Sequence, residues 1–262
     1  MKQWVTWERK DRLAIITMNH PPANALCPEA MDDIVACLDE IRQDSEVRVV
    51  IMTAAGEKLF MGGADITSFP EMLKDSRKQG NALATKGHSV YSGFATFPLP
   101  VIAAANGTAM GGGVEVMLGC DIRVASPKAK FGLPEVKLGL LPGGGGTLRL
   151  PKAIGYSRAL LMMLTGKAIT AQEALEYGLV DIIAETPEKT LDTAISLANE
   201  IAQYPADVLK QIKKTTFHGA MQDVLENIPF EQECFVEVFS GDAAREGITA
   251  FLEKRPADYS NM

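Results

Sequence analysis

An α/β fold with mainly parallel strand pairing is the architecture this sequence predicts, on three observations. Apolar, β-branched runs at 12–18, 47–53, 101–105 and 121–125 alternate with helix-compatible stretches. The run at 47–53 is bounded by turn residues and leads into a glycine-containing loop, the pattern of a buried parallel strand delivering a loop. After Leu140 strand signals become scarce and helical patterns take over.

Taken in order, the stretch around Val5 and the segment Arg12–Met18 read as opening strands. His20-Pro21-Pro22 then turns the chain into a helix over 28–43, with Met31, Ile34, Val35, Leu38 and Ile41 on one face. Residues 70–97 are polar and helix-compatible, weakened by Gly80, Gly87 and Gly93 and stopped by Pro98 and Pro100. Val101–Ala105 reads as a short strand, 111–119 as a helix and 121–125 as a further strand. Helical patterns follow at 156–164, 171–177, 191–204, 205–217 and 221–239. The predicted organisation is an α/β core over 1–204 and a C-terminal helical region over 205–262, with no internal repeat of fixed period.

With 47% hydrophobic and 23% charged residues, 262 residues suffice for one globular unit with a sizeable core. Trp4, Glu8 and Arg9 stand where a secretory signal needs a basic start and an apolar run, so no export is expected. The apolar region from Leu99 to Asp121 is interrupted by Asn106, glycines and Glu115, which argues against a membrane span. Cys27, Cys37, Cys120 and Cys234 show no CxxC pairing and no histidines at metal spacing, so free thiols in a reducing cytoplasm are predicted. A net charge of −7 argues against nucleic acid as the main partner.

Two loops each bring glycine and a strand end in front of a helix: Phe60-Met61-Gly62-Gly63-Ala64-Asp65-Ile66, and Asn106 through Glu115 with Gly111-Gly112-Gly113. Such loops let backbone N–H groups face an oxygen that gains charge, and two donors make an oxyanion hole. Taken singly, either loop is better explained by a tight turn and close helix–sheet packing. The second loop has Val116 where a dinucleotide fingerprint needs its third glycine, and Gly143–Gly146 lacks the Lys and Ser/Thr of a P-loop.

Glu115 sits among Val114, Val116, Met117 and Leu118, and Glu135 follows Phe131-Gly132-Leu133-Pro134. A carboxylate among apolar neighbours is costly without a partner or a task. Two of them with separated pKa values can share a water, one taking a proton and the other supplying one; an ion pair or a solvated face is the plainer alternative for each alone. His20, His88 and His218 lack evident partners, HExxH and GxSxG are absent, and Met162 and Met163 belong to an apolar run; these are read as surface or packing residues.

Together these motifs resemble the crotonase superfamily, the enoyl-CoA hydratase/isomerase family, over almost the whole chain. The likeness runs from Asn19–Leu26 through Phe60–Ile66, Gly111–Glu115, Cys120-Asp121, Phe131–Glu135 and Leu138–Pro142 to Ala250–Arg255. The resemblance implies a spiral of strand, strand, helix turns and a helical C-terminal region mediating trimers, commonly stacked in pairs. It implies that the N–H groups of Ala64 and Gly112 hold an acyl thioester carbonyl, that Glu115 activates water and that Glu135 delivers the proton. Ala64, Asp65 and Ile66 would contact CoA, with Phe251 beside it and Lys254 reaching a phosphate. One departure is Leu148, where many hydratases carry Gln.

The implied activity is reversible hydration of a short- to medium-chain trans-2-enoyl-CoA to the 3-hydroxyacyl-CoA in the cytoplasm, as in fatty acid metabolism, without metal or redox cofactor. Δ3,Δ2-enoyl-CoA isomerisation or another crotonase chemistry is the enzymatic alternative. A CoA-ester- or RNA-binding relative without catalysis is the non-enzymatic one, against which the two glutamates and the acidic balance speak.

Overall fold

The computed structural model of the chain describes residues 3–258. Strands β1 (Val5–Lys10) and β2 (Leu13–Met18) lead into helix α1 (Pro28–Gln43), followed by β3 (Val49–Ala54), β4 (Leu59–Met61), the short α2 (Phe69–Met72) and the long α3 (Ser76–Ala95). The middle of the chain is β5 (Val101–Ala105), β6 (Thr108–Met110), α4 (Gly112–Gly119), β7 (Ile122–Ala125), β8 (Lys130–Gly132) and a 3-10 turn at Glu135–Leu138. There follow α5 (Gly146–Ile154), α6 (Tyr156–Thr165), β9 (Ile169–Thr170), α7 (Ala171–Tyr177), β10 (Ile182–Ile183), α8 (Thr190–Ile201), α9 (Ala206–Phe239) and α10 (Asp242–Leu252).

The strands form two sheets. One has the order β1-β2-β3-β5-β7-β10 and the other β4-β6-β8-β9. In the first, only β1 and β2 are antiparallel, and β2 meets β3 in six-residue parallel register from Leu13↔Val49 to Met18↔Ala54. Both faces of this sheet are covered: Ile15, Val49, Ile51 and Ile102 pack under Ala194 and Ala198 of α8, while Ile16, Val50, Met52 and Ala103 face the main core. That double cover is why these strands read as continuous apolar runs.

Three long-sheet strands hand the chain to a short-sheet strand and then to helical structure: β3 to β4 to α2 and α3, β5 to β6 to α4, β7 to β8 to the 3-10 turn. This is the strand, strand, helix turn that the resemblance implied. Helix α1 spans the predicted residues, starts with Pro28 in its first turn, and buries Met31, Ile34, Leu38 and Ile41. Val35 of the predicted face is only half-buried.

Three features depart from the sequence reading. Strands β4 and β6 lie in stretches read as loops and β8 in one given no element; three residues each are too few to show a period, and they exist through pairing with one another. The patterns at 205–217 and 221–239 form one 34-residue helix, α9, because nothing between them caps or stops it, and even Pro229 lies inside it. The stretch from Pro70 divides into α2, a 3-10 turn at Leu73–Asp75 and α3, which carries its glycines and brings Gly80 against the Phe239 ring of α9. Among the described residues no helix is long and apolar enough to cross a membrane, and Cys27, Cys37, Cys120 and Cys234 are free thiols.

Candidate active site

The short sheet delivers its strand ends to one place. A cavity of ≈ 360 Å³ lies where the loop after β4, the turn between β6 and α4, the segment after β8 and the glycine run before α5 converge, with Phe235 of α9 and Phe251 of α10 along its wall. It is bordered by both glycine loops that the sequence singled out and by both glutamates.

The two loops touch. Leu26 bridges to Ala64, its N–H donating to Gly63 O at 2.8 Å while Asp65 N–H donates to Leu26 O at 3.1 Å, and this leaves the Ala64 N–H between them. Gly112 opens α4, so its N–H has no intrahelical acceptor. Neither N–H has an acceptor among the described residues, and a Cβ built on Gly112 would lie 3.8 Å from Ala64 N. The turn depends on Gly111 at φ +52°, a conformation L side chains rarely adopt. Two free donors at the cavity wall form the arrangement an oxyanion needs.

Glu115, 4% exposed, points from the first turn of α4 to the glycine run. Its Oε1 accepts from Gly144 N–H at 2.7 Å and from Gly146 N–H at 2.9 Å, and no group among the described residues donates to Oε2. The run must be glycine here, since a Cβ on Gly144 would meet the Tyr91 ring at 2.1 Å and Glu115 Oε2 at 2.6 Å. Glu135 begins the 3-10 turn after β8; its Oε2 is sealed from solvent and has no hydrogen-bond partner among the described residues.

The two carboxyls differ in what their charged forms would meet. Burial pushes Glu115 up, while the N–H groups of Gly146 and Gly144 and the Arg149 guanidinium pull it back. Burial pushes Glu135 up as well, the charge of Glu115 adds to it, and its pKa reaches about 8. Burial thus raises both carboxyls, but only Glu115 has the glycine-run donors and the Arg149 guanidinium to support its charged form, while Glu135 faces that charge.

The other predicted site residues lie at different depths. Ile66 and Asp65 line the cavity, but the Asp65 carboxylate is engaged in capping the turn that follows, accepting from Thr67 N–H at 3.1 Å and Thr67 Oγ1 at 2.7 Å. Phe251 is 58% exposed at the cavity mouth. Lys254 sits exposed two residues past the end of α10, with φ +57°, and does not line the cavity.

Four residues around the site escaped the sequence reading. Tyr91 of α3 lines the cavity, with its hydroxyl 2.8 Å from a Cβ built on Gly112. Arg149 of α5 is 3% exposed and donates to Gly144 O at 3.1 Å and to Ser92 Oγ at 3.1 Å. His88, read as a surface or packing residue, is buried on α3 beside the site, and Glu231 of α9 is 3% exposed. Arg149, a lone charge between Leu148 and Leu150, carried a usable signal; Glu231, in a stretch with Gln232 and Glu233, carried none. His20 stacks on Trp4 at 4.0 Å away from the cavity, and the side chain of His218 lies outside the described residues.

Comparison with known proteins agrees with this geometry. The family model for enoyl-CoA hydratase/isomerase matches residues 8–262. The chain is 40% identical to a short-chain-enoyl-CoA hydratase of Clostridium acetobutylicum over 252 residues, covering 96% of this chain and 95% of the relative. It is 35% identical to a crotonyl-CoA hydratase of Syntrophomonas wolfei, covering 96% of each. Among solved structures, carnitinyl-CoA hydratase from Mycobacterium avium superposes with a TM-score of 0.87 at 30% identity, covering 100% of both chains.

Proposed function

The chain belongs to the enoyl-CoA hydratase/isomerase family, and on that premise we propose that it catalyses reversible syn hydration of a short- to medium-chain trans-2-enoyl-CoA to the 3-hydroxyacyl-CoA. The observation that carries this reading is the asymmetry of the two carboxyls at one cavity: Glu115 with two N–H donors from the glycine run on Oε1, and Glu135 with its Oε2 sealed from solvent and unpartnered among the described residues. Hydration needs such a pair, a base for water and an acid for the carbon that becomes a carbanion.

In the proposed reaction the thioester oxygen lies between the N–H groups of Ala64 and Gly112. Water adds through its oxygen to Cβ as Glu115 Oε2 takes a proton, and the C=C electron pair moves into the thioester to make an enolate, stabilised by the two N–H groups. The enolate then collapses to take a proton from Glu135 at Cα. The carboxyls end in exchanged protonation states, which solvent resets. Water, the thioester and two carboxyls supply every atom and electron pair, so the reaction as written calls for no metal or redox cofactor. CoA would run past Ala64, Asp65 and Ile66, with Phe251 against it and Lys254 reaching toward a phosphate.

This reading extends to assembly as a trimer or pair of trimers, through the C-terminal helical region from residue 205 onward. Exposed apolar side chains in that region support it, among them Val208, Ile212 and Leu252. The chain would act in the cytoplasm, in fatty acid metabolism, without nucleic acid or membrane partners. The test of activity is the loss of enoyl-thioester absorbance with crotonyl-CoA and longer homologues, with product identified by mass. Rapid water addition is the expected result; binding without addition to any of them would overturn the hydratase reading, and conversion of a 3-enoyl-CoA in its place would show an isomerase.

A further inference from the structure

The glycine run before α5 is held from two sides. On the cavity side, Gly144 and Gly146 donate their N–H groups to Glu115 Oε1. On the far side, Gly145 donates its N–H to Glu231 Oε2 at 2.7 Å, and Thr147 Oγ1 hydrogen-bonds to Glu231 Oε1. Three successive N–H groups thus point alternately to Glu115, Glu231 and Glu115. Gly145 adopts φ +97°, which turns its N–H away from those of its neighbours.

Among the described residues no Lys or Arg forms a salt bridge with Glu231, although the Arg149 charge lies near enough to favour its ionised form. His88 Nε2 lies 3.6 Å from Glu231 Oε2, but neither ring nitrogen of His88 has a hydrogen-bond partner among the described residues. Burial, with the Arg149 guanidinium nearby, lowers the pKa of His88 to about 4, so it is neutral near pH 7. Arg149 directs its own donors to Gly144 O and Ser92 Oγ. A carboxylate sealed among such groups is costly unless its hydrogen bonds perform a task.

We infer that Glu231 is a positioning residue for the proposed hydration: from behind the glycine turn it sets the two N–H groups that occupy Glu115 Oε1, and so reserves Glu115 Oε2 for the attacking water. This rests on the hydratase reading of the site. Arg149 from α5 supports the charge of Glu115, that charge in turn raises Tyr91 of α3, Glu135 after β8 and Glu231 of α9, and His88 of α3 lies against Glu231 and is lowered by Arg149. Burial first, then the charge of Glu115, raises Glu231 to about 7. The repulsion is mutual, so an ionised Glu231 also favours the protonated form of Glu115.

The test compares Glu231→Ala, Glu231→Gln and Thr147→Val in the full chain with crotonyl-CoA, by kcat, KM, the pH profile of kcat/KM and melting temperature. Glu231→Ala releases the turn and is expected to lower kcat about 10²-fold with KM within about threefold. Glu231→Gln keeps an acceptor for Gly145 N–H and is expected to recover most of that loss. Because it removes a negative charge facing Glu115, it also moves the acidic limb of the profile to lower pH. Thr147→Val, which deletes one of the two contacts, is expected to lower kcat about threefold. An unchanged kcat in Glu231→Ala, or a loss that Glu231→Gln neither rescues nor accompanies with a shifted limb, would overturn the inference. Absence of hydration in the unmutated chain would instead sink the functional reading. Amide exchange across 143–149 then still tests the clamp, which stands if Glu231→Ala accelerates it and falls if it does not.

Discussion

Strands β3 and β5 are buried along their whole length and pair in continuous parallel register, whereas β4 and β6 are three residues each and their register slips between Leu59 and Met61. The long sheet is covered by α8 on one side and by the main core on the other. The short sheet ends in the loops that carry Ala64, Gly112, Glu115 and Glu135 to the cavity. Length and double burial give the first sheet a stability that does not depend on any one loop. The second is free to stop its strands where backbone N–H groups must remain unpaired, because the first supports it.

If that division holds, changes at the two sheets should separate activity from stability. The largest effect is expected at the site: Glu115→Gln should reduce kcat for crotonyl-CoA hydration about 10³-fold while CoA-ester affinity, read by calorimetry, changes little. Hydration at the original rate would remove the paired-carboxyl mechanism. In the long sheet, Ile51→Ala leaves a hole between β3 and α8 and should cost about 3 kcal/mol in denaturant unfolding, with kcat per folded molecule preserved. A large loss of kcat there would mean the sheets are not separable.

A subtler expectation concerns Glu135, whose pKa stands near 8 against an ordinary 4.5. A raised carboxyl contributes its full stability below the ordinary value and loses it as pH rises toward the raised one. Glu135→Gln should therefore melt above the unmutated chain at pH 8, with the gap closing toward pH 4.5, while the proposed mechanism expects hydration to be lost. In the unmutated enzyme the same titration should make hydration fall as pH rises through about 8. The smallest effect is expected at Leu148→Gln, which restores the residue many hydratases carry: Leu148 does not line the cavity, so kcat should stay within about twofold.

Legibility followed the same line between the sheets. The runs of β2, β3 and β5 could be read because two-sided burial leaves consecutive apolar residues, and α1 because one-sided burial leaves a helical period. Glu115 and Glu135 stood out as carboxyls among apolar neighbours, and the glycine loops as turns before helices. The short strands had no such signature, and the joining of two helical patterns into α9 left no local mark.

By itself, then, the sequence determined the α/β class, the long-sheet strands except the two-residue β10, the helical character of the C-terminal part and, through several motifs in order, the family. Only the tertiary structure decided how the surroundings of the two carboxyls differ. That depends on Gly144 and Gly146, about thirty positions away, donating to Glu115 while nothing donates to Glu135 Oε2. It alone also brought Glu231 behind the glycine turn, 86 positions from Gly145 in the chain. Periodicity records the burial of neighbours along a segment, whereas a pKa and a clamp are set by groups that meet only when distant segments pack.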